Sequence, residues 1–107
     1  MNIEEKLLIA KNVFPNSKIT KELSPFLDYA AYVQKGNLIE MFDPERDDAD
    51  AFKVLRALWK KGLSAEFDNS HIFIDGEKIK TFSIPIIDGN LNEAICRAYL
   101  NTIGEEG

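Results

Sequence analysis

Acidic residues between positions 42 and 62 (FDPERDDADAFKVLRALWKKG) are the group in this sequence that comes closest to a chemical site. Five carboxylates fall within eight positions: Asp43, Glu45, Asp47, Asp48 and Asp50. A calcium loop needs acids at alternate positions, a central glycine and a distal glutamate, whereas DPERDDAD has no glycine and carries proline and arginine. A catalytic pair needs environments that separate two carboxyl pKa values, and these acids precede a helix, where the chain is normally solvated. We expect neither a metal site nor a catalytic pair.

The same acids suit the start of a helix. Asp47 is a favoured N-cap residue, Asp50 stands at the reciprocal position of a capping box, and Asp48 in the first turn interacts favourably with the helix dipole. The far end carries the basic residues and glycine of a helix C-terminus, Lys60, Lys61 and Gly62. We predict a capped helix that buries Phe52, Leu55 and Trp59. Two alternatives remain: the acids could form an interaction surface, and Trp59 could be an interface anchor.

The other reactive side chains are single. His71 is the one histidine and Cys96 the one cysteine, so an intrachain disulfide and a multi-thiolate metal cage are excluded. No Cys/His signature surrounds Cys96, and a nucleophilic thiol needs a partner that lowers its pKa. We expect His71 to be a packed or surface side chain and Cys96 to be a small buried thiol.

Arg97 is unusual because it lies within EAICRAYL, a mostly small or apolar helical segment. A guanidinium there favours a carboxylate or an anionic ligand. We predict a structural pairing with Asp43, Asp47 or Asp48 first, and a ligand contact, helped by Lys35 and Arg46, second. If the structural role holds, the hairpins near Tyr32, Lys35 or His71 become the expected partner site.

Alternating apolar residues and turn signals define the elements that position these groups. We predict a helix over 2–13, a strand over 18–21, and a hairpin in YAAYVQKGNLIEMF that turns at Gly36-Asn37. Its two apolar faces are Tyr32, Ile39 and Met41 on one side and Val33, Leu38 and Phe42 on the other. After the central helix, a strand over 64–67 leads to a second hairpin, HIFIDGEKIKTF, that turns at Asp75-Gly76. One predicted face of this hairpin contains Ile72, Ile74 and Ile79. The other contains Phe73 and Phe82 beside His71, Lys78 and Lys80.

A final helix over 90–103, with Leu91, Ile95, Ala98 and Thr102 facing inward, completes the predicted fold. The fold class is α+β: one compact domain over 1–107, with a mostly antiparallel sheet sandwiched between α-helices in the order α-β-ββ-α-βββ-α. Both sheet faces carry apolar residues, so we expect helices to cover both.

Composition narrows the function classes. Apolar residues make up 45% of the 107 residues, which is too many for a disordered chain. The net charge of −5 disfavours binding to nucleic acid or to anionic membrane. No apolar run approaches the roughly 20 residues that span a bilayer, and the N-terminus is acidic where a signal peptide is basic. We expect a cytoplasmic protein.

Two segments, DPERDDADAFKVLRAL and EAICRA, resemble the phage ABA-sandwich domain family of small phage and prophage proteins. In that family an aromatic-x-Pro-x-x-Asp stretch opens the central helix; here Phe42 stands where the family often has Trp. The resemblance covers residues 42–103, with a longer second hairpin than the family pattern. It implies a sheet sandwiched by helices and a phage origin, and it brings no catalytic residues.

The resulting expectation is a non-enzymatic phage accessory protein that binds a partner in the bacterial host cytoplasm. It would act as an inhibitor of antiviral defence, by sequestering a nucleotide-like anion or by binding a host protein. A small enzyme of unknown reaction and a purely structural phage protein are the alternatives. We expect no cofactor, no metal, no nucleic acid and no membrane partner, and leave a homo-oligomer open. The candidate binding residues are Tyr32, Lys35, Arg46, His71 and Arg97.

Overall fold

The computed structural model describes residues 1–25 and 28–106 and contains three helices and six strands in these ranges. In chain order they are α1 (Ile3–Val13), β1 (Lys18–Leu23), β2 (Tyr29–Lys35), β3 (Leu38–Phe42), α2 (Asp48–Lys60), β4 (Ser64–Phe67), β5 (His71–Asp75), β6 (Phe82–Pro85) and α3 (Leu91–Glu106). The predicted α+β class and element order are confirmed.

The chain divides into two compact units, an N-terminal unit (Met1–Asp43) and a C-terminal unit (Pro44–Gly107). Each unit has its own three-stranded antiparallel sheet, with strand orders β1-β2-β3 and β4-β5-β6. The antiparallel pairing is therefore as predicted, while the six strands are divided between two sheets instead of forming one. The assignment of the chain to one domain stays a prediction.

In the N-terminal unit, α1 packs against β1 and β2. A capping box starts α1, because the Asn2 side chain accepts from the Glu5 N–H while Glu5 accepts from the Asn2 N–H. The pairing of Val33 with Glu40 and of Tyr32 with Met41 confirms the two predicted hairpin faces. One face supplies the core through Ala31, Val33 and Phe42, together with Leu7, Ile9 and Ala10 of α1.

The other face of this sheet differs from the expectation that helices cover both sides. On β3, Ile39 is 61% exposed and Met41 is 40% exposed. Tyr32 lies on the central strand β2 and is half-buried. The apolar character of this face therefore marks an open surface at β3 instead of a buried one.

In the C-terminal unit, α2 begins directly after Asp47 and is followed by Gly62, whose φ of 81° is the left-handed conformation expected there. Its buried residues are Ala51, Val54 and Leu58 with Asp50. The predicted burial of Phe52 and Trp59 is wrong: they are 55% and 75% exposed. Two adjacent stripes, 51-54-58 and 52-55-59, both have helical spacing, and the first one faces the core.

The connection between β5 and β6 is a loop over 76–81, and the predicted tight turn at Asp75-Gly76 is wrong. The Asp75 carboxylate holds the loop, accepting from the Gly76 N–H at 3.0 Å and from the Thr81 hydroxyl at 2.7 Å. The longer loop changes the register, so that Phe82 pairs with Ile74 and shares its face. Ile79, Lys78 and Lys80 belong to this loop and to neither sheet face.

Helix α3 packs against α2, β5 and β6. Ile95, Ala98 and Thr102 are buried as predicted, and so are Ala94, Cys96 and Tyr99. Leu91 was expected to face inward and is 39% exposed. It lies in the first turn of α3 and borders a groove described below.

Candidate functional site

The acidic residues around position 47 do not form one cluster, because each contacts a different partner. The Asp47 carboxylate accepts from the backbone N–H of Ala49 at 2.9 Å and of Asp50 at 3.4 Å, which confirms the predicted N-cap. Asp50 is buried and pairs with Lys53 at 3.2 Å. In the N-terminal unit, Asp43 pairs with Lys6 at 3.2 Å. Among the residues that the structure describes, no three His, Cys, Asp or Glu side chains converge as metal ligands would.

Tyr32 and Lys35, the candidate residues of the N-terminal unit, point to opposite faces of β2. Tyr32 lies beside Met41 on the open face. The Lys35 ammonium lies on the other side, 4.7 Å from the centroid of the Phe14 ring, which packs edge-on against Phe42. The two residues therefore do not form one binding patch.

His71 is half-buried at the start of β5, on the outer face of the sheet with Phe73. Its Nδ1 lies 2.8 Å from the Ser70 hydroxyl. The neighbouring turn is held by Asp68, which accepts from the N–H groups of Ser70 and His71. These two backbone hydrogen bonds lower the pKa of Asp68 below 3.8, since they favour the charged carboxylate. The histidine backbone thus has a structural role in this turn.

Arg97 pairs with a carboxylate, as expected, but the partner that the structure shows is Glu93, one helical turn earlier, at 3.5 Å. Both side chains border a cavity of about 200 Å³, lined by Ile84, Pro85, Ile87, Asn90 and Ala94. The glutamate offsets the charge of the guanidinium, so this cavity does not present a lone cation to an anionic ligand.

Within the C-terminal unit, two of the sequence-predicted residues, His71 and Arg97, lie on different sides of the sheet. Arg46 is exposed in the turn before α2, and His71 is on the outer face of the β4-β5-β6 sheet. Arg97 is on α3, which packs against the opposite face, where Ile72 and Ile74 are buried. His71 and Arg97 therefore lie on opposite sides of this sheet and do not share one ligand site.

A groove that the sequence reasoning missed is formed by α2, β4 and α3. It consists of two adjoining cavities of about 480 and 270 Å³ that share Leu55 and Phe67. We call it the aromatic groove and define it by Phe52, Leu55, Trp59, Phe67 and Leu91. Four of these side chains are substantially exposed, at 55% for Phe52, 75% for Trp59, 44% for Phe67 and 39% for Leu91.

Local sequence positions the walls of the aromatic groove. Phe52, Leu55 and Trp59 recur at helical spacing along α2 and form the outer of its two apolar stripes. Asp88 and Gly89, with φ of 55° and 69°, turn the chain into α3, where the Asn90 side chain caps the helix through the Glu93 N–H at 3.0 Å. The second stripe on α2 was the sequence signal that could have revealed this surface.

One end of the aromatic groove is polar. The Asn92 amide donates to the Asp48 carboxylate at 2.8 Å and so joins the first turn of α3 to that of α2. The Arg56 guanidinium lies 5.2 Å from the centroid of the Phe52 ring but does not line either cavity of the groove. An apolar floor with one carboxylate and two side-chain amides at its end suits apolar side chains accompanied by a hydrogen-bond donor.

Comparisons with protein-family models, curated proteins and solved structures found no match. The resemblance of DPERDDAD and EAICRA to the phage ABA-sandwich family stays a prediction. Those two segments are joined in space by a hydrogen bond between Asp48 of the first and Asn92, which immediately precedes the second.

In the part of the chain that the structure describes, no helix is long and apolar enough to cross a membrane.

Proposed function

We propose that this chain is a non-enzymatic binding protein whose aromatic groove receives apolar side chains of a partner protein. The observation that carries the proposal is the exposure of Phe52 and Trp59 on one side of α2. Large aromatic side chains dominate the binding free energy of protein interfaces, because they bury much area with little loss of side-chain entropy.

The chemistry of the groove favours a protein over a nucleotide-like anion. Asp48 places a carboxylate at one end, which repels phosphate. Arg97, the cation first considered for such a ligand, is paired with Glu93. A partner that offers an apolar segment with an arginine, lysine or amide near Asp48 fits the groove better.

The biological setting that we propose follows from the family resemblance. In that setting the protein is a phage or prophage accessory protein that acts in the bacterial cytoplasm by binding a host protein, and inhibition of antiviral defence is its effect. The alternatives are a small enzyme of unknown reaction and a purely structural phage protein.

Substitution of Trp59 by alanine tests the proposal. The side chain is three-quarters exposed, so we expect the free energy of unfolding to change by no more than about 0.5 kcal/mol. Binding to a protein captured from bacterial lysate and then purified should weaken by about 2 kcal/mol or more, the range of an interface hot spot. Calorimetric titration of the purified pair gives this value.

Ile87→Ala is the matched control, because Ile87 is also exposed, at 63%, and lies outside the aromatic groove. Its binding should equal that of the unmodified protein. Equal weakening by the two variants, or no weakening by Trp59→Ala and Phe52→Ala, would show that the partner binds elsewhere.

A further inference from the structure

The strands at the edges of the two sheets differ in how well they are protected against further pairing. An edge strand presents unpaired N–H and C=O groups, and proteins block such edges with charges, proline or short strands. Edge strand β1, KITKEL, carries Lys18, Lys21 and Glu22. Strands β4 and β6 have four residues each, and β6 ends in Pro85.

Strand β3 has fewer of these protections than β1, β4 or β6. Its sequence is LIEMF, with Glu40 as the single charge and no proline. It pairs with β2 on one side and forms the edge of the sheet on the other. Leu38, Ile39 and Met41 are 55%, 61% and 40% exposed, so apolar groups line this edge on both faces.

The backbone of β3 is arranged to accept another strand. A two-residue turn joins Lys35 to Leu38, with Gly36 at a φ of 61° as its first residue. In such a hairpin the closing pair exchanges hydrogen bonds, and the following pairs alternate. The N–H and C=O groups of Ile39 and Met41 therefore point away from β2, toward the edge.

We propose that β3 pairs antiparallel with β3 of a second copy of this chain, which joins two three-stranded sheets into one of six strands. Antiparallel pairing about a two-fold axis is isologous, so one contact covers both open edges at once. The strand is complementary to itself at its exposed apolar residues Ile39 and Leu38, since Ile39 can meet Ile39 of the second copy and Leu38 can meet the aliphatic part of Glu40.

Charge selects the register. When Ile39 lies opposite Ile39 of the second copy, each Glu40 lies opposite Leu38 of the other copy. Within that copy Leu38 pairs with Lys35, so Glu40 and this lysine are on the same face of the joined sheet. With Glu40 at the centre, two carboxylates would lie directly opposite each other, which destabilises a strand pair. We therefore assign the Ile39-centred register.

The molar mass in solution, measured by sedimentation over a range of concentrations, tests this dimer. Ile39→Lys places two ammonium groups opposite each other at the centre, and we expect it to raise the dimer Kd by at least about tenfold. Leu23→Lys is the matched control: Leu23 is 58% exposed on the other edge strand, β1, and its variant should dimerise like the unmodified protein.

Circular dichroism establishes that the variants are folded. If Ile39→Lys loses its fold, Ile39→Thr, which keeps a β-branched side chain, serves in its place and should weaken the dimer in the same direction. Oxidation of Ile39→Cys should yield a disulfide-linked dimer, whereas Glu40→Cys should not. Cross-linking through Glu40→Cys alone would overturn the assigned register.

Two results would overturn the dimer itself. One is a monomer at every concentration reached; the other is a dimer that Ile39→Lys and Ile39→Thr leave unchanged. The proposal is independent of the aromatic groove, so Trp59→Ala should leave the mass unchanged. A dimer that dissociates in Trp59→Ala and persists in Ile39→Lys would place self-association at the groove instead.

Discussion

The Asp47 side chain solves a local problem for α2, whose first N–H groups have no partner within the helix. Its carboxylate accepts from Ala49 and Asp50, while Asp48 is directed to Asn92 of α3. Adjacent acids thus have different roles: one satisfies the backbone of its own helix and the other joins two helices.

Replacement of Asp47 by alanine should lower the free energy of unfolding by about 0.5–2 kcal/mol, the usual range for a lost N-cap. Denaturant titration measures this value. The matched control is Asp48→Ala, which removes an exposed side-chain hydrogen bond and keeps the cap, and should cost less. A larger loss for Asp48→Ala than for Asp47→Ala would contradict the capping role.

For single residues, the sequence predicted those contacts whose partners lie a few positions away in the chain. The cap at Asp47 was predictable because its acceptor and donors lie within three residues. The exposure of Trp59 was not, because α2 carries two stripes of helical spacing and only tertiary packing decides which one faces the core. For Arg97 the structure shows a partner that the sequence analysis did not consider, Glu93, which lies one turn earlier in the same helix.

Among the elements, the β5–β6 connection shows how one side chain determines a register. Asp75 holds the loop over 76–81, and the loop returns Phe82 to the same face as Ile74. Gly76 lies at the start of this loop, where a Cβ atom would clash with the side chain of buried Leu63. The absence of a side chain at this position allows the loop to pack against the end of α2.

Gly76→Ala should therefore destabilise the protein by about 1 kcal/mol, the lower end of the cost of adding a methyl group to a packed site, because the atom that must move is the end of the Leu63 side chain. Gly104→Ala is the control, because Gly104 lies within α3 and has open space around it. Its stability should rise by up to about 1 kcal/mol, since alanine favours the helix. Thermal unfolding followed by circular dichroism compares the two; a neutral Gly76→Ala would contradict the close approach.

The two hairpins show when a sequence pattern is enough to predict the pairing register of two strands. The β2–β3 register was predictable, because a two-residue turn at Gly36 fixes which residues are opposite each other. The β5–β6 register was not, because Asp75-Gly76 also starts a longer loop when the aspartate accepts from Thr81. Whether three or six strands share a sheet depends on contacts distant in sequence, which alternating patterns do not contain.

For the whole molecule, the division into two units places the α3 core within residues 44–107. Cys96 is fully buried there, with Ala98 and Tyr99. A thiol reagent reaches such a group only after the surrounding structure opens. Reactivity of Cys96 thus follows the opening of the C-terminal unit and not its surface chemistry.

We expect the Cys96 thiol of the folded protein to react with a small disulfide reagent at least about a thousandfold more slowly than in denaturant, given ordinary domain stability. Absorbance of the released thiol measures both rates. Cys96→Ser should cost about 1–3 kcal/mol through burial of a hydroxyl, and it should leave partner binding unchanged. A rapid reaction in the native protein would contradict the burial of this residue.

The exposure of Trp59 also has an optical consequence, because this residue is the only tryptophan in the chain. Its indole is mostly in water while the protein is folded, so its emission maximum is already near that of the unfolded chain. Unfolding then shifts the spectrum little, whereas a partner in the aromatic groove removes water from the ring and moves emission to shorter wavelength. Intrinsic fluorescence of this protein is therefore a label-free signal of binding that is almost insensitive to folding.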